Sequence, residues 1–366
     1  MTLPYSLQEL DFADPAACER WDQFLLESVR GQHVQLTTWL RSYLSYGGTP
    51  HLIVAESQEK IRGGIGIITL GNRFCRLAHC PAGPIVDVGQ EELVGPLLDA
   101  ACQWARRQRC VTLQVQQPAT HDPLPEKFLL PEAFRSSTFD WRDGPAMPGL
   151  AGMEQMLWIP FPSADSVEAW TELMFQGFSS STRRNLRIAQ RAGVVVEEAQ
   201  DAAELQAGYA IIEQNGIAQG YPTRTWDEFG VTLCRQSELG QASLFVAKHE
   251  GQVLGAVYGA WTGRRFTDSM AGTMRTKPDM KIGYYVRFKA MQAAWERGML
   301  GYDLTADGPP GVKEAKYGFG PTKLVCVPPQ HLNLAPIRMT ALRTFGESLK
   351  RHRRTLVNLT RKLKRS

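Results

Sequence analysis

Residues 283–320 read GYYVRFKAMQAAWERGMLGYDLTADGPPGVKEAKYGFG. Val286, Ala290, Met291, Ala294 and Trp295 recur at helical spacing, with Arg287, Lys289, Gln292 and Glu296 between them. This is the pattern of an amphipathic helix. Gly298 is placed to end it. LGYDL then predicts a short buried strand. TADGPPG, with two prolines and two glycines in seven residues, predicts irregular chain. AKYGFG closes the stretch as a glycine-flanked loop carrying Lys316. A helix, a strand and such a loop form a plausible edge of an active site.

The stretch has a twin. HLIVAESQEKIRGGIG, from residue 51, aligns with SLFVAKHEGQVLGAVYG, from residue 243, at a constant offset of 192. Val54 meets Val246, Ala55 meets Ala247, Gly63 meets Gly255, and Arg73-Phe74 meets Arg265-Phe266. At an offset of 191, Trp104 meets Trp295 and Leu113 meets Leu304. Each copy reads strand, turn, strand, a variable piece, helix, strand. Two units of one α/β (α+β) fold in tandem explain this register. Each is expected to be a mixed sheet flanked by helices.

The chain has 366 residues, more than one domain usually holds. It is 43% hydrophobic and 21% charged, with a net charge of +4, so it is no polycation. No apolar run is long enough to span a membrane, and the acidic N-terminus has no apolar core like that of a signal peptide. The seven scattered cysteines form no CxxC pair, which argues against zinc and a disulfide framework. A reduced, cytoplasmic protein is the plain reading. The expected division is 1–150 for the first unit with its N-terminal helices, 151–330 for the second, and 331–366 for a basic helical tail. From Arg343 that tail carries nine Lys or Arg against one acid, Glu347.

Asp14 and Pro15 mark the start of a first helix. Glu91 to Arg107 predicts another, and Asp165 or Ser166 caps a further one through Phe175. In SSSTRRNLRIAQRAGVVVEEA, Arg183, Arg184, Arg187 and Arg191 lie along one flank of a helix ending at Gly193. Ala202 to Gln214 predicts a helix, followed by the loop NGIAQGYPTRTW.

Taken together, RRNLRIAQRAGV, FVAKHEGQVLGAVYGAW, QAAWERGMLGYDL and AKYGFG resemble the Fem family of aminoacyl-tRNA-dependent peptidyltransferases. They equally resemble the related acetyltransferase-like (GNAT) domains of polysaccharide gene clusters. GQHVQLTTW and PAGPIVD fit the same family. The resemblance covers roughly residues 20–330 and implies two GNAT-type units. Two departures stand out: Ala315 replaces the usual Phe before the lysine, and there is no room for a long helical arm. The chain resembles the short, armless type.

That resemblance implies acyl transfer to an amine. The expected function is aminoacyl transfer from aminoacyl-tRNA, as co-substrate, to an amine of a peptidoglycan precursor or small molecule, forming an amide. One alternative is an acyl-CoA-dependent N-acyltransferase in polysaccharide or secondary-metabolite biosynthesis. Another is a non-catalytic protein that binds a glycan precursor. The chain has no Ser-His-Asp or Cys-His signature, so no covalent enzyme intermediate is expected. Nor is a metal site. MRTKPDMKIGYY, where a CoA-using domain cradles pyrophosphate, holds one glycine and a proline. That favours aminoacyl-tRNA. The basic tail suits RNA contact or peripheral attachment to an acidic membrane surface.

The resemblance places a functional lysine at Lys316, which reads as an accessible side chain facing the ester carbonyl or the ribose end of the donor. Lys313 is its rival. Asp303, in an apolar strand, is either an active-site group or a structural one bonded to backbone. Arg183, Arg184 and Arg187 suit acceptor phosphates. Arg41 sits near a basic acceptor contact of the short members. Tyr221 and Tyr317 are candidate acceptor contacts.

Overall fold

The computed structural model describes residues 5–72, 75–117, 128, 136–144, 146, 155–220, 223–305 and 310–336. The first half begins with β1 (Ser6–Glu9) and α1 (Pro15–Glu27). Asp14 caps α1, accepting from the amides of Ala16 and Ala17. A 3₁₀ turn (His33–Gln35) leads into the short helix α2 (Thr37–Arg41). Next come β2 (Thr49–Ser57), β3 (Lys60–Gly71), β4 (Arg76–Cys80), β5 (Ile85–Val86), α3 (Val94–Arg107), β6 (Thr112–Val115) and β7 (Arg142–Asp143).

The second half holds β8 (Gln155–Pro160), α4 (Val167–Gly177), α5 (Ser180–Arg191), β9 (Val195–Glu198), α6 (Ala202–Gln219) and α7 (Trp226–Glu238). β10 (Ala242–His249), β11 (Gln252–Thr262), β12 (Arg265–Thr273), α8 (Ile282–Glu296) and β13 (Gly301–Asp303) form its centre. The described chain ends with α9 (Pro310–Tyr317), β14 (Thr322–Val325) and β15 (Gln330–Asn333).

The two sheets share one plan. The first runs β1-β2-β3-β4-β6-β15-β7, with β5 beside β3; the second runs β9-β10-β11-β12-β13-β8-β14. Every pair along both paths is antiparallel except β4/β6 and β12/β13, which are parallel. Even the registers agree. Ala55 pairs with Gly63 and Ala247 with Gly255, and each hairpin carries an irregularity immediately after that alanine. Both turns place two residues at positive φ, Gln58 (51°) with Glu59 (60°) and Glu250 (49°) with Gly251 (78°), as the tight two-residue hairpin requires. The repeat read from the sequence is therefore a repeat of fold.

The sixth strands are exchanged between chain halves. β8 opens the second half and lies beside β13, while β15 returns from the far end of the chain to pair with β6. The expected boundary at 330/331 thus cuts through a strand of the first sheet. Beyond 336 the basic tail lies outside the described residues, as does most of the proline-rich connection 118–150.

Two local expectations are corrected. α6 runs to Gln219, through the Asn215-Gly216 pair that reads as a turn signal, because Gly216 is buried inside the helix. The helix α9 begins at Pro310, inside TADGPPG where irregular chain is expected, so Lys316 sits on a helix and not in a loop.

The halves meet through a buried polar network. The Asp22 carboxylate accepts from Thr37 N (2.7 Å), Thr37 Oγ1 (2.6 Å) and Gln241 Nε2 (2.9 Å). Arg265 Nη2 donates to the carbonyl of Gly31 (3.1 Å), and Trp39 packs edge-on against Phe229 at 5.7 Å. Buried polar groups that are satisfied in this way fix one docking geometry.

Candidate active site

The parallel pair marks the difference between the units. In the first, Gln116 N donates to Cys80 O and Gly83 N to Gln116 O, so the segment after β4 stays zipped to that after β6. In the second, β12 and β13 pair only as far as Thr267 with Asp303, and β12 continues to Thr273 paired with β11 only. The opening so made is part of a cavity of about 730 Å³.

Both halves line the cavity. Trp39 comes from α2, Asn215 and Gln219 from the end of α6, Thr223 and Arg224 from the loop beyond, Asp268 to Thr273 from β12, Arg287 from α8, and Val312, Lys313 and Lys316 from α9. Gly272 brings α6 close: a Cβ there would lie 2.5 Å from Ile211 O. Between Tyr258 and Gly259 the β11/β12 register shifts, leaving Ser269 as the extra residue on β12. Such a bulge re-aims a side chain, and Ser269 lines the cavity. Its Oγ lies 3.3 Å from His33 Nε2 of the first half.

Thr305 ties the floor together. It stands at φ 46°, unusual for a β-branched residue, and three neighbours hold it there. Its amide donates to Asp303 Oδ1 (2.9 Å), its hydroxyl to Asp268 O (2.9 Å), and its carbonyl accepts from Lys316 Nζ (3.0 Å). Lys316 is only 5% exposed, which corrects the expectation of an accessible side chain: its stem is enclosed as its ammonium reaches Thr305. Lys313 also lines the cavity.

Asp303 lies behind the wall, 3% exposed. Burial pushes its carboxyl above the usual range, against the pull of Arg265, the Thr305 amide and Lys316. It positions Thr305 and does not face the cavity. Among the described residues, the carboxylate that lines the cavity is Asp268, which accepts from Arg287 Nε at 2.8 Å. The sequence offered one signal for it, the one acid within RFTDSMAGT. Arg287 carried none, being one of several polar residues between apolar positions.

Opposite stands Arg224. Its guanidinium carbon lies 4.8–5.3 Å from the ring centroids of Trp39, Tyr43, Tyr46 and Phe229, and Nη1 donates to Ser42 Oγ at 2.6 Å. Among the described residues that line it, the cavity holds four cations, Arg224, Arg287, Lys313 and Lys316, against the carboxylate of Asp268. It is built to receive anionic groups.

Other candidates lie elsewhere. Arg183 Nη1 donates to the carbonyls of Phe175 (2.8 Å) and Phe178 (2.5 Å), closing the end of α4. Arg184 and Arg187 point to solvent from α5, outside the cavity lining. Arg41 donates to Phe12 O (3.1 Å), and Tyr317 is exposed on α9. Tyr221 lies outside the described residues.

Residues 177–316 match the family model described as an acetyltransferase (GNAT) domain. The match lies within the second unit, whose fold is that of an acyltransferase domain. Over 91% of its length the chain is also similar in fold to the crystal structure of FemX, covering 99% of that chain at 16% identity and a TM-score of 0.74. A conserved protein of unknown function from Bacteroides thetaiotaomicron matches at 10% identity, over 89% of this chain and 97% of that one, with a TM-score of 0.55. The comparison with curated proteins finds no match.

In a GNAT domain an acyl-CoA donor needs a phosphate cradle where α8 begins. Residues 274–281 hold no glycine, and Asp279 places a carboxylate there, accepting from Lys281 N (3.0 Å) and Nζ (2.6 Å). A carboxylate beside a helix N-terminus competes for the position an anionic pyrophosphate would take. Arg275, Lys277 and Lys281 share the segment, so what it lacks is a glycine turn and not positive charge.

Proposed function

We propose that the protein transfers an aminoacyl group from aminoacyl-tRNA to the amine of an anionic acceptor, a peptidoglycan precursor or a small molecule, and forms an amide. The observation that carries this reading is the cationic cleft of an acyltransferase fold whose α8 start presents Asp279 in place of a phosphate cradle. The resemblance to the Fem family supports it.

The reaction joins the acceptor nitrogen to the ester carbonyl carbon and breaks the bond from that carbon to the ribose oxygen. The amine proton ends on the ribose oxygen. Asp268 is the carboxylate beside the reacting amine and serves to pass that proton, with Arg287 holding its orientation. Lys316, anchored on Thr305, and Lys313 face the oxyanion of the tetrahedral intermediate. A fixed donor in such a place is worth roughly 2.7–4 kcal/mol. Arg224 holds an anionic group of the acceptor at the far wall.

A second reading, acyl-CoA-dependent N-acylation, is favoured by the GNAT family match. The test is a transfer assay with a pool of charged tRNAs beside a pool of acyl-CoAs, with peptidoglycan precursors and small amines as acceptors. Amide product from the tRNA pool alone is expected. Product from acyl-CoA alone replaces the first reading by the second.

A further inference from the structure

Arg184, Arg187 and Arg191 stand on one ridge of α5, within about 60° of one another at 3.6 residues per turn. All three are exposed, and none has a hydrogen-bond or ion-pair partner among the described residues. Several exposed arginines elsewhere are matched, Arg20 with Glu56, Arg107 with Glu9, Arg142 with Asp140 and Arg235 with Glu238, while Arg109, Arg264 and Arg275, exposed and unmatched among the described residues, stand one by one on three separate connections. Around α5 the sequence withholds such partners, with no Asp or Glu between Leu173 and Val196. The neighbouring helix α8 adds Lys289 and Glu296, of opposite sign. The ridge therefore keeps three uncompensated guanidinium groups over a rise of about 10 Å.

Its position adds to this. The Ser179 amide, at the start of α5, donates to Gly318 O at 2.8 Å, just past the helix that carries Lys313 and Lys316 into the cleft. The opposite face of α5, with Thr182, Leu186 and Ala189, is buried. No apolar stripe of this helix is left to enter a lipid surface, as an interfacial helix requires. Arginine forks in a row, without apolar companions, match the phosphate oxygens of a nucleic acid backbone.

We propose that the Arg184–Arg187–Arg191 ridge docks the phosphodiester backbone of RNA and seats the tRNA whose charged end enters the cleft. This rests on the aminoacyl-tRNA reading. The test measures binding of unfractionated deacylated tRNA to the full chain across a salt series. The variant R184Q/R187Q/R191Q is compared with R107Q/R142Q/R235Q, which loses the same charge from matched arginines. Both are first shown to melt at the wild-type temperature. The ridge variant is expected to lose about two to three from the slope of log affinity against log salt, and the control to keep the wild-type slope. Equal slopes for the two variants overturn the ridge while leaving tRNA as the donor. Wild-type protein that binds no tRNA overturns both readings. Binding to phosphatidylglycerol–phosphatidylcholine vesicles that depends on the ridge, with tRNA binding unchanged, assigns it to a membrane and overturns the proposal.

Discussion

His33 Nε2 lies 3.3 Å from Ser269 Oγ, a contact that joins the two units at the bulge beside the cleft. Burial, with Arg265 close by, pulls the imidazole down to about 3. His33 is therefore neutral in the folded chain, while in the unfolded chain it takes up a proton near pH 6.5. The unfolded state binds more protons between these values, so stability rises with pH there. It is fully present above 6.5 and lost as the pH falls toward 3, by up to about 1.4 kcal/mol per pH unit. His33→Gln is expected to flatten the fall of melting temperature between pH 6.5 and 4. An unchanged slope would assign the effect to His51 and His79, both held down to about 4.

Lys316→Met should cost turnover about a hundredfold or more, as the loss of an oxyanion donor does. Because Lys316 is buried and bonded to Thr305, stability should also fall by about 1–3 kcal/mol. Lys313→Met, on the same helix, should leave the melting temperature in place and lower turnover less. Equal turnover in the two variants would remove Lys316 from the chemistry.

At the opposite wall, Arg224→Gln should raise the acceptor KM at least tenfold while kcat changes little, since it removes binding common to ground and transition states. Arg224→Lys keeps the charge but loses the planar stack within the four rings, and should recover only part of the affinity. If kcat falls and KM stays, the guanidinium acts on the reacting atoms and not on the acceptor.

Asp268→Asn preserves the shape of the contact with Arg287 but cannot take a proton. Turnover is expected to drop by about 10²–10⁴. A variant that stays within tenfold of wild type would leave Asp268 as the partner that orients Arg287.

The repeat was legible because strand register leaves a trace in sequence. Ala55/Gly63 and Ala247/Gly255 pair identically, and identical pairing demands similar residues at identical spacing. The cavity was not legible, because its walls come from residues far apart in the chain. Nothing local announces that Arg224 will lie among Trp39, Tyr43 and Tyr46, or that His33 will face Ser269. The bulge that turns Ser269 inward is a property of the β11/β12 pair, not of either strand. Arg183 shows the opposite limit: a basic residue in a basic run, whose bonds to Phe175 and Phe178 make it a helix cap. Lys316 reads from sequence as a loop residue, since two prolines before it conceal the helix that carries it.

The exchange of β8 and β15 has a consequence for synthesis. Translation delivers most of the first sheet early, but its sixth strand is residues 330–333. While the ribosome makes the second half, the β6 edge stays unpaired, and an open edge is adhesive. The nascent chain must keep that edge from strangers until β15 emerges, so the earliest part of the protein to be made is among the last to be finished.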